Sequence, residues 1–179
     1  MRISYIIILL IIINFISCKS YIDSKNNSFE NDHMSFQFNC KQNHFKYYSK
    51  INGRADDQIF SNSHFEIDLP KNLNNWMLIN NRYYFEYDYN QIILVYIPFK
   101  EEDKNEGVWQ VVDLEEEKIF SYMYDYWSEM KYNDNRLNTL NLKRVNKIYT
   151  NGKYEIVLFN VKEKNFHRYL DIVKTIRVN

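Results

Sequence analysis

The chain has 179 residues, which is enough for one ordinary domain preceded by a targeting segment. Its 23 lysines and arginines balance 23 aspartates and glutamates, so the overall charge does not favour a nucleic-acid partner, and none is predicted. The sequence has only three glycines and lacks both the glycine-rich phosphate loops and the nucleophile elbow of common enzyme classes.

The first 17 residues have the features of a secretory signal peptide. Arg2 supplies the basic start, an aliphatic run follows from Tyr5 to Ile13, and the small Ser17 precedes the predicted cleavage point. A helix of about a dozen residues spans roughly 18 Å, which is short of the ~30 Å hydrocarbon core of a bilayer. We therefore predict a signal peptide over residues 1–17 rather than an uncleaved membrane-spanning anchor.

The stretch Phe15-Ile16-Ser17-Cys18 resembles the lipobox of bacterial lipoproteins, with Phe15 in place of the usual leucine. The resemblance implies that Cys18 becomes the first residue of the mature chain and carries fatty acyl chains such as palmitate. Two or more acyl chains hold a protein stably at a bilayer. We therefore expect lipidation of Cys18 and a location in the bacterial cell envelope, anchored to the membrane by lipid, with the leaflet left open.

The predicted state of the second cysteine, Cys40, depends on whether Cys18 is acylated. If Cys18 is acylated, Cys40 has no intrachain partner and is a buried small apolar side chain, a free thiol or an intermolecular bridge, and burial is favoured. If the chain is instead an ordinary secreted protein, a disulfide between Cys18 and Cys40 becomes an alternative.

Three segments follow the signal peptide. Residues 18–32 are polar and without periodicity, which predicts a flexible tether. Residues 33–63 are ambiguous, with a hint of a strand where Phe36 and Phe38 alternate with polar residues. Residues 64–179 are predicted to form the globular domain.

The domain begins with strand patterns. Phe65, Ile67 and Leu69 alternate with acidic residues, and Pro70 should end that strand. A meander of antiparallel strands is predicted over 76–79, 82–89 and 92–98, and a further strand over 108–112.

The helical period appears at Asp113. Asp113 and Glu116 match a capping box, and a helix to about Lys131 is predicted with an apolar stripe of Ile119, Met123, Tyr126, Trp127 and Met130. Asn151-Gly152 then predicts a hairpin between 145–149 and 154–161, and a closing helix carries Phe166, Tyr169, Leu170 and Val173. This order predicts an α+β fold, an antiparallel β-sheet packed with two main helices.

Two stretches, "FEIDLPKNLNNW" and "YLDIVKTIRV", resemble the ends of domains of the PsbP family, the extrinsic photosystem II subunits. The resemblance covers about residues 64–178 and implies a PsbP-like fold with a binding or assembly role and no shared active site. This chain differs from the family pattern in the spacing before Trp76 and in having one predicted strand fewer before the last helix.

Candidate chemistry is sparse. His33, Cys40 and His44 have an irregular spacing for a metal site, so no metal and no cofactor are predicted. Glu86 and Asp88 are a pair of carboxylates on one face of a predicted strand, and strand alternation explains them as solvent-facing together with Tyr84.

We expect a non-enzymatic lipoprotein that binds a protein partner or assists an envelope assembly. The alternative is a module that binds a glycan or small ligand through exposed tyrosines, and an uncharacterised hydrolase is a third hypothesis. The candidate contact residues are Tyr84, Tyr122 and Tyr124, because exposed aromatic rings stack on sugars and anchor protein partners.

Overall fold

The computed structural model describes residues 21–25, 28–48, 52–55, 58–61, 64–79, 81–98, 105–130 and 143–178. The predicted signal peptide and Cys18 lie outside these residues. The strands are β1 (Phe29–Glu30), β2 (Met34–Phe38), β3 (Asn43–Tyr47), β4 (Asn52–Ala55), β5 (Gln58–Ser61), β6 (Phe65–Leu69), β7 (Leu73–Ile79), β8 (Arg82–Tyr87), β9 (Gln91–Tyr96), β10 (Gln110–Asp113), β11 (Arg144–Thr150), β12 (Glu155–Lys162) and β13 (Arg177–Val178). The helices are α1 (Glu116–Glu129) and α2 (Glu163–Val173), with short 3-10 helices at Ile22–Lys25 and Asp88–Asn90.

The strands form two antiparallel sheets. The first sheet has the order β1-β2-β3-β6-β13, the second has the order β10-β11-β12-β9-β8-β7, and β4 pairs with β5 as a separate hairpin. Two antiparallel sheets with two helices confirm the predicted α+β class. Residues 34–47, which the sequence left ambiguous, belong to the same sheet as β6, with Phe45 opposite Ile67.

The first sheet packs on one face of the second through aromatic side chains. Phe45 is fully buried, and its ring centroid lies 5.2 Å from that of Phe85 and 5.9 Å from that of Tyr83. Tyr169, Leu170 and Val173 of α2 join the same core. Burying each such side chain stabilises the fold by about 1.5–3 kcal/mol.

Helix α1 covers the opposite face of the second sheet. Its side chains at Ile119, Met123, Tyr126 and Trp127 recur every three or four residues and are buried against that sheet, as the apolar stripe predicted. The second sheet therefore lies between two apolar layers, and its central strands are buried on both faces.

Two local predictions are wrong. The capping box does not form, because Asp113 ends β10 and its carboxylate pairs with Lys147 of β11, while Glu115 is the N-cap residue and has no side-chain cap. The alternation of β8 also misleads, because Tyr84 and Glu86 were expected to face solvent and both are buried under α1.

The hairpin prediction is confirmed. β11 and β12 pair antiparallel, and Asn151 Oδ1 accepts hydrogen bonds from the backbone N–H groups of Lys153 and Tyr154. Gly152 has a φ of 88°, a conformation that glycine adopts without steric cost.

Candidate functional site

The start of the described chain is docked on the domain through a buried carboxylate. Asp23 is 1% exposed and accepts hydrogen bonds from the backbone N–H groups of Asn72 and Leu73, at 2.9 and 3.1 Å. The side-chain amide of Asn43 donates to Asp23 at 2.9 Å, and the Lys71 ammonium lies 3.1 Å away. The predicted flexible tether over 18–32 is therefore wrong for residues 21–25, and also for β1, which pairs with β2 in the first sheet.

A tyrosine extends this docking to the second sheet. The Tyr21 hydroxyl donates to Asp88 Oδ2 at 2.6 Å, and the Asn74 amide donates to Asp88 Oδ1 at 3.2 Å. Glu86 instead accepts a hydrogen bond from the Tyr126 hydroxyl of α1 at 2.6 Å. β8 ends at Tyr87 and a 3-10 turn follows, so Glu86 and Asp88 do not converge as a catalytic pair would.

A basic surface surrounds the start of α2, beside this docking point. We call it the basic cleft and define it by Lys71, Lys143, Arg144, Lys162, Lys164 and Arg168. It comprises a recess of about 360 Å³ and a second of about 180 Å³, which share Lys162 and Lys164. Asp88 and Glu163 are the carboxylates that line it, and a third, Asp23, pairs with Lys71. Among the residues that the structure describes, six cations against three carboxylates leave a local excess of positive charge, and the positive end of the α2 dipole adds to it.

Two tyrosines line the smaller recess. Tyr87 is buried, and its hydroxyl has no hydrogen-bond partner among the described residues. Burial raises the pKa of Tyr87 well above its usual value, while Arg168 acts in the opposite direction. Burial likewise raises the pKa of Tyr169, whose ring lies 5.5 Å from that of Tyr87. Both hydroxyls are therefore neutral donors at physiological pH.

The structure separates the three candidate contact tyrosines. Tyr84 is fully buried, stacks on Tyr126 at 4.9 Å and donates its hydroxyl to the backbone carbonyl of Tyr122. Tyr122 is half-buried and donates its own hydroxyl to Glu155 at 2.8 Å. Only Tyr124 is exposed, at 53%, and the three rings do not line one concave surface.

Tyr124 has an aromatic neighbour that sequence reasoning missed. The ring centroid of Phe120 lies 4.9 Å from that of Tyr124, and Phe120 is 55% exposed. The two positions are one helical turn apart on the face of α1 that points away from the second sheet. We call Phe120 and Tyr124 the aromatic pair.

The histidine and cysteine candidates do not converge. His44 Nδ1 lies 2.8 Å from Asp68 Oδ1, whereas Cys40 is an exposed free thiol, so the expectation that Cys40 is buried is wrong. Cys40 lies in a tight turn between β2 and β3, where the side chain points to solvent. Within the described ranges, no group of three or more histidine, cysteine or acidic side chains could hold a metal ion.

Fold and surface together define a two-sheet α+β domain with a docked N-terminal segment, a basic cleft and an aromatic pair. Comparisons of the chain with protein-family models, with curated proteins and with solved structures gave no match. The resemblance to PsbP stays a prediction. Among the helices that the structure describes, none is long and apolar enough to cross a membrane.

Proposed function

We propose that the chain is a non-enzymatic lipoprotein of the bacterial cell envelope, anchored through acyl chains on Cys18, whose domain docks a protein partner at the aromatic pair. The observation that carries the docking surface is the exposure of Phe120 and Tyr124 side by side on a helix whose other apolar and aromatic side chains are buried or half-buried. Large exposed aromatic side chains are enriched at the centres of protein interfaces.

The docked N-terminal segment supports a role close to the membrane. Tyr21 lies three residue steps after Cys18, with Lys19 and Ser20 between them, and Tyr21 and Asp23 are held against the domain. Three residues span at most about 11 Å, even when fully extended. An acylated Cys18 would thus keep the domain at the bilayer surface instead of on a long tether.

The glycan or small-ligand alternative has less support. It needs exposed tyrosines around a concave site, and Tyr84 is buried while Tyr122 is bonded to Glu155. The basic cleft is lined by cations, amides, two tyrosines and the carboxylates of Asp88 and Glu163, a set whose excess of positive charge favours anions over a neutral sugar.

The anchor is tested by intact-mass and N-terminal peptide mass spectrometry on protein expressed in a bacterial host. The expected mature protein lacks residues 1–17 and carries acyl mass that Cys18→Ala loses. A cleaved but unmodified chain would refute the proposed acylation of Cys18, and a disulfide between Cys18 and Cys40 would then be tested.

The partner surface is tested by placing a photo-crosslinking amino acid at position 124 in membranes of the producing cell. A matched control carries the same group at Glu129, which is exposed on the same helix but lies about 140° around its axis from position 124. We expect a discrete crosslinked protein from position 124 that disappears when Phe120→Asp is added. Equal crosslinking from both positions, or no effect of Phe120→Asp, would refute the aromatic pair as a docking surface.

A further inference from the structure

The basic cleft lies where the anchored end of the chain meets the domain. The Tyr21 hydroxyl donates a hydrogen bond to Asp88, which lines the cleft. Asp23 forms an ion pair with Lys71, which also lines the cleft. Cys18 can lie no further than about 11 Å from Tyr21. The Debye length at physiological ionic strength is about 8 Å, so the cations of the cleft attract headgroups where the cleft itself faces the bilayer, and so short a link to the anchor allows that arrangement.

The charge of the whole protein does not predict such a surface. The chain balances 23 basic and 23 acidic residues, yet six cations gather around the start of α2, and the carboxylates found beside them in the described part of the chain are Asp88, Glu163 and the Lys71-paired Asp23. Basic clusters next to a membrane anchor bind anionic lipid headgroups, and the attraction grows with each lysine or arginine near the surface.

We propose that the basic cleft is a membrane-apposition surface, which lies against anionic phospholipid headgroups and fixes the orientation of the lipid-anchored domain. This rests on the proposed acylation of Cys18. The occupant is the lipid surface itself, because the docked segment begins beside the cleft and only Lys19 and Ser20 lie between it and the anchor.

This orientation turns the aromatic pair away from the membrane. The cleft lies at the Lys162 end of β12. At the other end of β12, Glu155 accepts a hydrogen bond from Tyr122, which lies between Phe120 and Tyr124 in sequence. Seven residue steps along a strand span about 23 Å. The acylated domain therefore presents the start of α1 to the envelope space.

The test measures the rate at which a membrane-impermeant amine reagent labels individual lysines, read by peptide mass spectrometry. Full-length mature protein is reconstituted in phosphatidylcholine vesicles with or without phosphatidylglycerol, and in neutral detergent micelles. Lys143 and Lys164 report on the cleft. Lys118 on α1 and Lys174 just beyond the end of α2 are the matched controls, since all four are exposed.

We expect labelling of Lys143 and Lys164 to slow by about fivefold or more in vesicles with phosphatidylglycerol. Lys118 and Lys174 should label at the same rate in every sample, and high salt should restore labelling of the cleft. Arg168→Glu combined with Lys162→Glu should remove the protection while leaving the acyl mass unchanged.

The other outcomes overturn the proposal. Equal labelling of cleft and control lysines in vesicles with phosphatidylglycerol refutes the orientation. Protection by inorganic phosphate in micelles identifies a small-anion site instead, and protection only in envelope membranes identifies a protein or polymer partner. A mature mass without acyl groups refutes the anchor together with this inference, whereas acylated protein with even labelling refutes the inference alone.

Discussion

Replacement of Asp23 tests whether the N-terminal segment is part of the folded domain. Asp23→Ala removes the acceptor of four donors: the backbone N–H groups of Asn72 and Leu73, the amide of Asn43 and the ammonium of Lys71. Removing one partner of a buried charged pair costs about 3–5 kcal/mol. The Lys71 side chain is 26% exposed and can regain water, so we expect a loss of about 3 kcal/mol in the free energy of unfolding.

The assay is urea unfolding of purified mature protein in neutral detergent, followed by tryptophan fluorescence. Asp23→Asn keeps the side-chain volume and one acceptor oxygen, so its loss should be smaller, about 2 kcal/mol. Asp171→Ala is the matched control, because Asp171 is 75% exposed and its ion pair with Lys174 should contribute less than about 0.5 kcal/mol.

A second measurement follows the docking of the N-terminal segment on the domain. Amide hydrogen exchange at Asn72 and Leu73 should accelerate in Asp23→Ala, because their N–H groups lose their acceptor. If Asp23→Ala is as stable as Asp171→Ala and these amides exchange as in the wild type, the segment is not docked. The proximity of the proposed anchor to the basic cleft would then lose its support.

Three further perturbations test the core and the layer under α1. Phe45→Ala should cost about 3–5 kcal/mol in urea unfolding, because a fully buried ring is lost, whereas Phe120→Ala should cost less than about 0.5 kcal/mol. Tyr126→Phe removes the hydroxyl that donates to buried Glu86 and should cost about 1.5–3 kcal/mol; a change within error would contradict the buried hydrogen bond. Burial raises the pKa of Tyr84 to about 12 from about 10 in the unfolded chain, so the folded state keeps a proton that the unfolded state has lost. The urea midpoint should therefore fall as pH rises from about 10 to about 12, and it should fall less steeply in Tyr84→Phe. A wild-type midpoint that does not change over this pH range would refute the raised pKa of Tyr84.

Local patterns were sufficient to predict much of the fold. The alternation of Phe65, Ile67 and Leu69 identified β6, and the spacing of Ile119, Met123 and Tyr126 identified α1 with its buried face. Asn151-Gly152 located the β11–β12 hairpin. In each case the periodicity of one segment determines which side chains it can bury.

What the sequence did not predict depends on contacts between distant segments. Alternation assigned Tyr84 and Glu86 to solvent, because a single strand does not show that α1 will cover its second face. Asp23 lies in a polar, aperiodic stretch, and its burial depends on donors from β3 and from the chain entering β7. The sequence feature that indicates the cleft is a pair of basic residues at each end of the β11–β12 hairpin, Lys143-Arg144 and Lys162 with Lys164. Antiparallel pairing of β11 with β12 brings the two pairs together.

The arrangement of these features explains how a protein of balanced charge could hold a fixed orientation on a membrane. The docked segment limits the distance between Cys18 and the domain, but a single tether still allows rotation about it. A second point of attachment removes that freedom, and the basic cleft lies close enough to provide it. Because the cations come from β11, β12, α2 and the turn before β7, the attachment would act on the folded domain and not on the tether alone. The aromatic pair would then face a partner at one defined height above the bilayer, which lowers the entropic cost of docking.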